Sequence, residues 1–221
     1  MTALPAPAAV PATLPGQSAG YKLASVLLQY PTRALFDGLD ELDAAARSAP
    51  RGARGPLAAF LAWLRATTPH EVAQHYVETF DLRRRSALYL TYYRHGDTRR
   101  RGMALLAFKT AYRTAGLAPV KDEEELPDYL PVVLDFAAVA PGGEDLLRRH
   151  RADLELLRRA LHEAGTPYAR VVDAVCAQLP RLGRRDLLRV RAAEQQGPPA
   201  EDVGLEPFAP PGYLTGEEVS R

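Results

Sequence analysis

The strongest helical signal in the chain lies in residues 144–179, which read EDLLRRHRADLELLRRALHEAGTPYARVVDAVCAQL. From Glu144 to Ala164 the leucines recur at helical spacing and form one stripe: Leu147, Leu154, Leu157 and Leu161. Thr166-Pro167 then opens a further helix, whose apolar residues fit the same stripe: Tyr168, Val171, Val172, Val175, Cys176 and Leu179. Two successive amphipathic helices must bury their apolar faces against other elements.

The same spacing recurs on both sides of this stretch. Predicted helices run from Tyr21 to Tyr30, from Thr32 with Leu35, Leu39 and Leu42, through Leu57, Phe60, Leu61 and Leu64, from a cap at Asp97 to Gly116, from Asp128 to Ala138, and from Arg184 to Gln196. In the Asp97-capped helix, Leu105, Phe108 and Tyr112 are expected to face inward.

One helix start is signalled by chemistry as well as by spacing. Thr68-Pro69-His70-Glu71 has a Thr cap, Pro at the first helical position and Glu three residues after the cap, which together predict a capping box. The exception to helical spacing is Leu88 to Tyr93, which alternates like a strand. Because no partner strand is visible and a lone strand leaves its backbone unpaired, we predict a helix there too.

Composition supports an all-α fold. The 221 residues include 37 Ala and 32 Leu but no Ile or Asn, so strong helix formers dominate. We expect a single compact multi-helix domain over residues 19–196. A flexible Pro/Ala leader, residues 1–18, and a flexible acidic Pro/Gly-rich tail, residues 197–221, flank it.

Charge and apolar patterning exclude several classes of function. With 28 Lys+Arg against 27 Asp+Glu, the chain lacks the basic excess typical of nucleic-acid binding. No apolar run approaches the ~20 residues that span a bilayer, and the leader has no basic region or apolar core of a secretory signal, so a cytoplasmic location is expected. One cysteine, Cys176, excludes a disulfide framework, a cysteine zinc site and a self-contained iron–sulfur cluster.

Motifs for catalysis or metal binding are also missing. His70 and His75 are five residues apart, whereas the zinc-protease helix motif needs four. No nucleophile elbow, Walker A or dinucleotide glycine pattern occurs. Cys176 lies on an apolar stripe and is predicted to be a buried structural thiol. The arginine triples at residues 83–85 and 99–101 could bind phosphate, although a solvated or ion-paired face is the more ordinary interpretation.

Large binding-capable side chains concentrate between Tyr76 and Tyr112. Five Tyr and two Phe lie there beside arginines, Asp81, His95 and Asp97, where a plain core would use Leu. Aromatic and Arg side chains are the types that dominate binding hot spots. This stretch is therefore the predicted surface for a partner.

Several strings in this region resemble the NarJ family, the molybdenum cofactor assembly chaperones of respiratory nitrate reductase, within the wider TorD-like redox-enzyme chaperones. The resemblance is close over about Tyr21 to Ala138 and rests on five segments: Tyr76-Val77-Glu78-Thr79-Phe80-Asp81-Leu82-Arg83-Arg84-Arg85, Leu88-Tyr89-Leu90-Thr91-Tyr92-Tyr93, His95-Gly96-Asp97-Thr98-Arg99, Arg101-Gly102-Met103 and Leu126-Pro127-Asp128. At one position the chain departs from the family, because Tyr129 stands where a histidine often follows Pro-Asp.

The resemblance implies an all-helical fold and a non-enzymatic role. Such a chaperone would bind the N-terminal segment of the apo catalytic (alpha) subunit of nitrate reductase. It would hold that subunit open for insertion of the molybdenum cofactor and an iron–sulfur cluster and delay its docking to the membrane. It would bind no cofactor stably itself, and proteins of molybdenum cofactor biosynthesis could be further partners.

Three alternatives stay open. One is a chaperone of another TorD-like molybdoenzyme, and a second is a helical metal-dependent hydrolase using Asp81, His95, Asp97 and Asp128. The third is a structural adaptor with a fixed partner, which predicts a large exposed apolar patch. For the chaperone hypothesis the expected groove, which accepts an amphipathic helix, combines the aromatic region with the loop at Pro127. Its predicted peptide-binding residues are Asp81, Arg83, Tyr89, Tyr92, Tyr93, His95, Asp97, Arg101, Asp128 and Tyr129; no catalytic or metal-ligating residue is predicted.

Overall fold

The computed structural model describes residues 16–96, 98–117 and 125–196, and within them the fold is all-α as predicted. Its helices are α1 (Gly16–Leu27), α2 (Arg33–Asp37), α3 (Leu39–Ser48), α4 (Arg51–Ala66), α5 (Pro69–Tyr76), α6 (Tyr92–His95), α7 (Arg100–Thr114), α8 (Leu130–Val139), α9 (Gly143–Arg149), α10 (Arg151–Glu163), α11 (Ala169–Cys176) and α12 (Arg184–Gln196). A π-helical turn (Val77–Asp81) and a 3-10 turn (Arg84–Ser86) connect α5 to α6.

One hydrophobic core joins both ends of the described chain. Helix α1 packs on α8, α3 and α11, while α4 packs on α3 and α11. Helix α10 then contacts α11 on one side and α12 on another. The predicted apolar stripes face this core, and Leu57, Leu61, Leu154 and Leu157 are fully buried. None of the helices in the described ranges is long and apolar enough to cross a membrane.

The capping box at Thr68 is confirmed. The Thr68 side chain accepts a hydrogen bond from the Glu71 backbone amide, and Glu71 accepts one from the Thr68 amide at 3.0 Å. Two donors at the start of α5 are thereby satisfied, which fixes where this helix begins. Its last turn carries Tyr76 into the core.

The helix predicted over Glu144 to Ala164 is wrong in one respect, because it is broken at His150. The backbone leaves helical geometry there (φ −101°, ψ 16°), and the His150 amide donates to the carbonyls of Leu146 and Leu147, ending α9. The imidazole Nδ1 lies 2.8 Å from a carboxylate oxygen of Asp153, in the first turn of α10. Residue spacing could not show the break, since both helices keep their leucines on one stripe.

The helix predicted over Leu88 to Tyr93 is wrong for its first half. Tyr89 forms an isolated antiparallel bridge with Tyr129, in which the Leu90 amide donates to the Asp128 carbonyl and the Leu130 amide to the Leu88 carbonyl. The segment just before α8 therefore supplies the partner that the sequence did not reveal. Helical structure starts only with α6.

Several predicted boundaries shift. The helix expected to start at Asp97 begins at Arg100, and Asp97 itself lies outside the described residues. Helix α1 begins at Gly16, before the predicted end of the leader, and Gly38 divides the helix expected after Thr32 into α2 and α3. The flexibility of residues 1–15 and of the 197–221 tail also falls outside the described residues.

Candidate partner-binding site

The bridge between Tyr89 and Tyr129 builds one end of the candidate site. Side chains alternate across an extended segment, so Leu88 and Leu90 enter the core while Tyr89 stays partly exposed. The ring of Tyr89 packs against the ring of Tyr129 with centroids 5.4 Å apart. Two elements distant in sequence thus present neighbouring aromatic rings.

Arg101, in the first turn of α7, contacts Tyr89, Thr91 and Tyr92. Its guanidinium lies over the rings of Tyr89 and Tyr92, 5.4 and 5.7 Å from their centroids. Its Nε donates to the Thr91 hydroxyl at 3.2 Å. A guanidinium over an aromatic face is attracted by the negative face of the ring. We call Tyr89, Tyr92, Arg101, Asp128 and Tyr129 the tyrosine–arginine cluster.

Asp128 is the buried anion of this cluster. Its side chain is fully buried, and Oδ2 accepts hydrogen bonds from the Thr91 amide (3.0 Å) and hydroxyl (2.6 Å). Arg101 Nη2 lies 3.7 Å from the same oxygen. The other oxygen, Oδ1, has no hydrogen-bond donor among the described residues. Because a buried carboxylate is costly unless it is paired, Asp128 fixes the loop before α8 against the segment that leads into α6.

The tyrosine hydroxyls of the site act as neutral hydrogen-bonding groups. Tyr89 donates to Glu125 at 2.8 Å, and the hydroxyls of Tyr76 and Tyr129 are 3.3 Å apart. Burial raises the pKa of Tyr129 to about 12, and it also raises the pKa values of Tyr76 and Tyr89. None of these three hydroxyls supplies a phenolate near neutral pH.

The remaining predicted site residues are not part of the cluster. Tyr93 is buried, and its hydroxyl donates to the carbonyls of Arg85 and Ala87. His95 is half-buried, and burial, followed by the charge of Arg94, lowers its pKa. Asp81 and Arg83 are exposed on the connection between α5 and α6, and Asp97 is outside the described residues.

The outward face of α7 extends the site with apolar surface. Phe108 and Tyr112 pack into the core as predicted, whereas Met103 and Leu106 are 73% and 47% exposed. On the same outward side, the hydroxyls of Thr110 and Thr114 donate to backbone carbonyls four residues earlier. The hydroxyl groups of these threonines are therefore satisfied within the helix. Met103 and Leu106 expose apolar surface to solvent on this side of α7.

Sequence reasoning assigned α7 one apolar face and missed the second. Met103, Leu106 and Ala107 lie three to four residues apart, on the side opposite Phe108. A helix with apolar residues on two sides is the signal that could have shown it. In a helix with a solvated outer face, those positions would carry charge.

Sequence reasoning also missed a buried ion cluster between α6 and α10, formed by Arg94, His150 and Asp153. Asp153 is 1% exposed and accepts hydrogen bonds from Arg94 Nε at 2.9 Å and His150 Nδ1 at 2.8 Å. His150 also packs on Phe108, with ring centroids 4.8 Å apart. The cluster ties α6 to α10 and supports the position of α7.

The other residues examined for chemistry have structural roles. His75 pairs with the Thr166 hydroxyl at 2.7 Å and stacks on Tyr168. Cys176 packs against the core and is partly, not fully, buried, and burial raises the pKa of its thiol to about 11. Within the described residues, no three His, Cys, Asp or Glu side chains come together in a way that could hold a metal ion.

The helical fold of this chain is shared with a solved structure. A solved structure of a putative redox enzyme maturation protein from Archaeoglobus fulgidus aligns with 81% of this chain and 92% of its own, with a TM-score of 0.52 and 20% identity. At that identity the likeness concerns the fold alone. By its sequence, the chain belongs to the nitrate reductase delta subunit family, whose model matches residues 46–173.

Curated relatives agree with this membership. NarX of Mycobacterium tuberculosis, a nitrate reductase-like protein, is 44% identical over 162 residues, 71% of this chain and 24% of NarX. NarJ of Bacillus subtilis, a probable nitrate reductase molybdenum cofactor assembly chaperone, is 34% identical over 54% of this chain and 65% of its own. NarJ of Escherichia coli is 32% identical over 68% of this chain and 65% of its own. The chain thus spans a quarter of NarX and just under two thirds of NarJ. The predicted membership of the NarJ family is confirmed.

Proposed function

We propose that this chain binds the N-terminal segment of the apo catalytic (alpha) subunit of respiratory nitrate reductase in the cytoplasm. It keeps that subunit competent to receive the molybdenum cofactor and an iron–sulfur cluster before the enzyme docks at the membrane. Family membership supports this proposal, since the NarJ relatives are named for assembly of nitrate reductase.

The observation that carries the proposal is the second apolar face of α7, the helix whose first turn also carries Arg101 of the tyrosine–arginine cluster. An exposed apolar helix face is the surface type that accepts an amphipathic helix. We call the N-terminal segment of the catalytic subunit the client. Met103 and Leu106 would contact its apolar side. Tyr89, Arg101 and Tyr129 would form the end of the surface, where their rings and guanidinium supply hot-spot contacts.

The cluster is arranged before the client arrives. Arg101 is held by the Thr91 hydroxyl and two aromatic rings, and Tyr129 is held by Tyr76. Side chains already fixed in one geometry lose little entropy when they bind. The buried Asp128 therefore acts through positioning, and the contacts to the client fall to its neighbours.

The cofactor is passed to the client and is not held stably by the chaperone. Proteins of molybdenum cofactor biosynthesis are further proposed partners, since a chaperone that keeps the client open must meet the cofactor's supplier. The alternative is a chaperone of another molybdoenzyme of the TorD-like type, which would use the same surface for a different N-terminal segment. A metal-dependent hydrolase is a weaker candidate, because the family relatives are named as assembly chaperones.

Affinity purification of the tagged full chain from its own organism during nitrate respiration tests the proposal. We expect the nitrate reductase catalytic subunit to be identified by mass spectrometry in a form low in molybdenum. Recovery of a different molybdoenzyme subunit would favour the alternative chaperone. A purified chain that carries stoichiometric metal and no reductase subunit would contradict both.

A further inference from the structure

A second surface, independent of the proposed client site, lies between α10 and α12. It is a groove of about 660 Å³ with an apolar floor that includes Ala152, Leu156, Val190 and Ala193. Its rim carries six arginines: Arg94, Arg148, Arg149, Arg151, Arg181 and Arg189. Two carboxylates, Asp153 and Asp186, line the same groove, and Arg148 and Arg151 pair with Glu144 and Glu155 outside it. Arg149 and Arg181 have no carboxylate partner among the described residues, so the unneutralised charge of the rim is positive.

The two carboxylates do not neutralise this rim. Asp153 is buried and already engaged by Arg94 and His150. Asp186 lies 3.7 Å from Arg189, whose side chain is 80% exposed, so this pair contributes little. Arg181 is exposed at the groove edge, with no ion-pair partner among the residues described. The groove therefore suits an anionic segment that also brings apolar side chains.

The chain itself continues from this groove with such a segment. Gln196, the last residue of α12, lines the groove. The following residues, 197–221, contain five Asp or Glu and one Arg, whereas residues 1–196 contain 27 Lys+Arg against 22 Asp+Glu. Within residues 201–208 the sequence EDVGLEPF interleaves three carboxylates with Val203, Leu205 and Phe208.

Length and tethering favour this segment as the occupant. Four residues lie between Gln196 and Glu201, so these two Cα atoms can be up to ~16 Å apart, while the α10 part of the groove from Arg151 to Leu156 spans ~8 Å. Gly197-Pro198-Pro199 provides residues that favour a change of direction. A short tether also raises the effective concentration of the segment to the millimolar range.

We propose that residues 201–208 dock in the groove between α10 and α12, with the carboxylates on the arginine rim and Leu205 and Phe208 on the apolar floor. The tail is thus an intramolecular ligand of the chaperone. Its binding is salt-dependent, because much of the attraction is between exposed charges.

Backbone relaxation by nuclear magnetic resonance on the full, isotope-labelled chain tests this directly. At low salt we expect order parameters of residues 201–208 near about 0.8, and at about 0.5 M NaCl below about 0.6. Order parameters below about 0.6 at low salt would overturn the proposal. Ordering that depends on protein concentration would instead assign the groove to the tail of a second copy and would overturn the intramolecular form.

Charge reversal identifies the surface that the tail binds. The double variant Arg181→Glu with Arg189→Glu should release residues 201–208, while the control Arg33→Glu with Arg47→Glu, two exposed arginines that do not line the groove, should not. Adding Glu201→Arg and Asp202→Arg to the groove variant should restore the ordering. A tail that stays ordered in the groove variant, or that the compensating change fails to restore, would show that it docks elsewhere.

Discussion

At the scale of single residues, burial separates the positions that hold the site from those that can contact a partner. Asp128 is fully buried with two hydrogen bonds from Thr91, whereas Asp81, also predicted to bind peptide, is exposed. Removing one partner of a buried charged network leaves donors unpaired. These two carboxylates therefore form a matched pair for substitution.

We predict that Asp128→Ala lowers the free energy of unfolding by about 3 kcal/mol, because Thr91 and Arg101 lose their shared acceptor. Urea denaturation of the full chain measures this. The control Asp81→Ala should change stability by less than about 0.5 kcal/mol. Equal effects of the two substitutions would contradict the structural role of Asp128.

Glu155 gives a pH-dependent prediction. Its carboxylate is buried; burial opposes ionisation, but hydrogen bonds from Arg158 and Arg159 prevail and lower the pKa of Glu155 to about 2. A pKa below the unfolded value of ~4.3 means that this stabilisation is complete above that pH and disappears as pH falls toward 2. Glu155→Gln should therefore cost about 2 kcal/mol at pH 7 and much less near pH 2.

Urea unfolding at several pH values checks the prediction for Glu155. The control is Glu163→Gln, an exposed position on the same helix. Its effect should be small and nearly independent of pH. A cost for Glu155→Gln that is the same at pH 7 and pH 2 would contradict the ion pairs of Glu155 with Arg158 and Arg159.

Single residues were predictable where the relevant partner is near in sequence. Thr68 and Glu71 are three residues apart, so their capping box could be read directly. Asp128 and Thr91 are 37 residues apart, and Asp153 and Arg94 are 59 apart, so their burial depends on tertiary packing. Local patterns hold no information on such pairs.

At the scale of elements, α8 and α9 approach each other closely at Gly143. A Cβ built on Gly143 would lie 2.5 Å from the Ala137 Cα and 2.6 Å from the Phe136 carbonyl oxygen. Both are backbone atoms and cannot move as a flexible side chain would. The packing of α9 against α8 therefore requires glycine at this position.

We predict that Gly143→Ala destabilises the chain by about 2 kcal/mol or more, because the two helices must separate. The matched control is Gly102→Ala in α7, where the added methyl group meets no atom within 4 Å outside the neighbouring backbone. That control should be neutral or stabilise by about 0.5 kcal/mol through helix propensity. Thermal melting of both variants measures the difference in stability. A melting temperature of Gly143→Ala equal to that of the unmodified chain would refute this packing.

Element type followed from hydrophobic spacing, and element boundaries did not. The leucine stripe continues through His150, so the break between α9 and α10 depends on a side-chain contact with Asp153. The extended residues around Tyr89 pair with a segment about 40 residues away, which no local pattern reveals. Both errors lie beside the candidate site, where long-range contacts override local preference.

At the scale of the whole molecule, the fold and family were predictable, and the exact surface was only partly so. The resemblance carried by residues 76–103 agrees with the family match over residues 46–173. The structure gathers Tyr89, Tyr92, Arg101, Asp128 and Tyr129 into one cluster, but it buries Tyr93 and leaves Asp81 and Arg83 apart. The outward face of α7 was not predicted, because its inward face satisfied the helical pattern.

We predict that the outward face of α7 binds the client without being needed for folding. Met103→Asp with Leu106→Asp places two charges on the exposed apolar face, where they would have to be desolvated against the client. Each anchor lost at a hot spot costs ~2 kcal/mol, so affinity should fall at least about 30-fold while melting changes little. Val139→Asp, also at an exposed apolar residue, is the matched control.

Calorimetric titration of the full chain with a synthetic peptide from the N-terminus of the nitrate reductase catalytic subunit is the most direct test. We predict measurable one-to-one binding to the unmodified chain and to Val139→Asp, and its loss in the α7 double variant at unchanged melting temperature. Binding that survives the α7 double variant, or no binding to the unmodified chain, would contradict the proposed client surface.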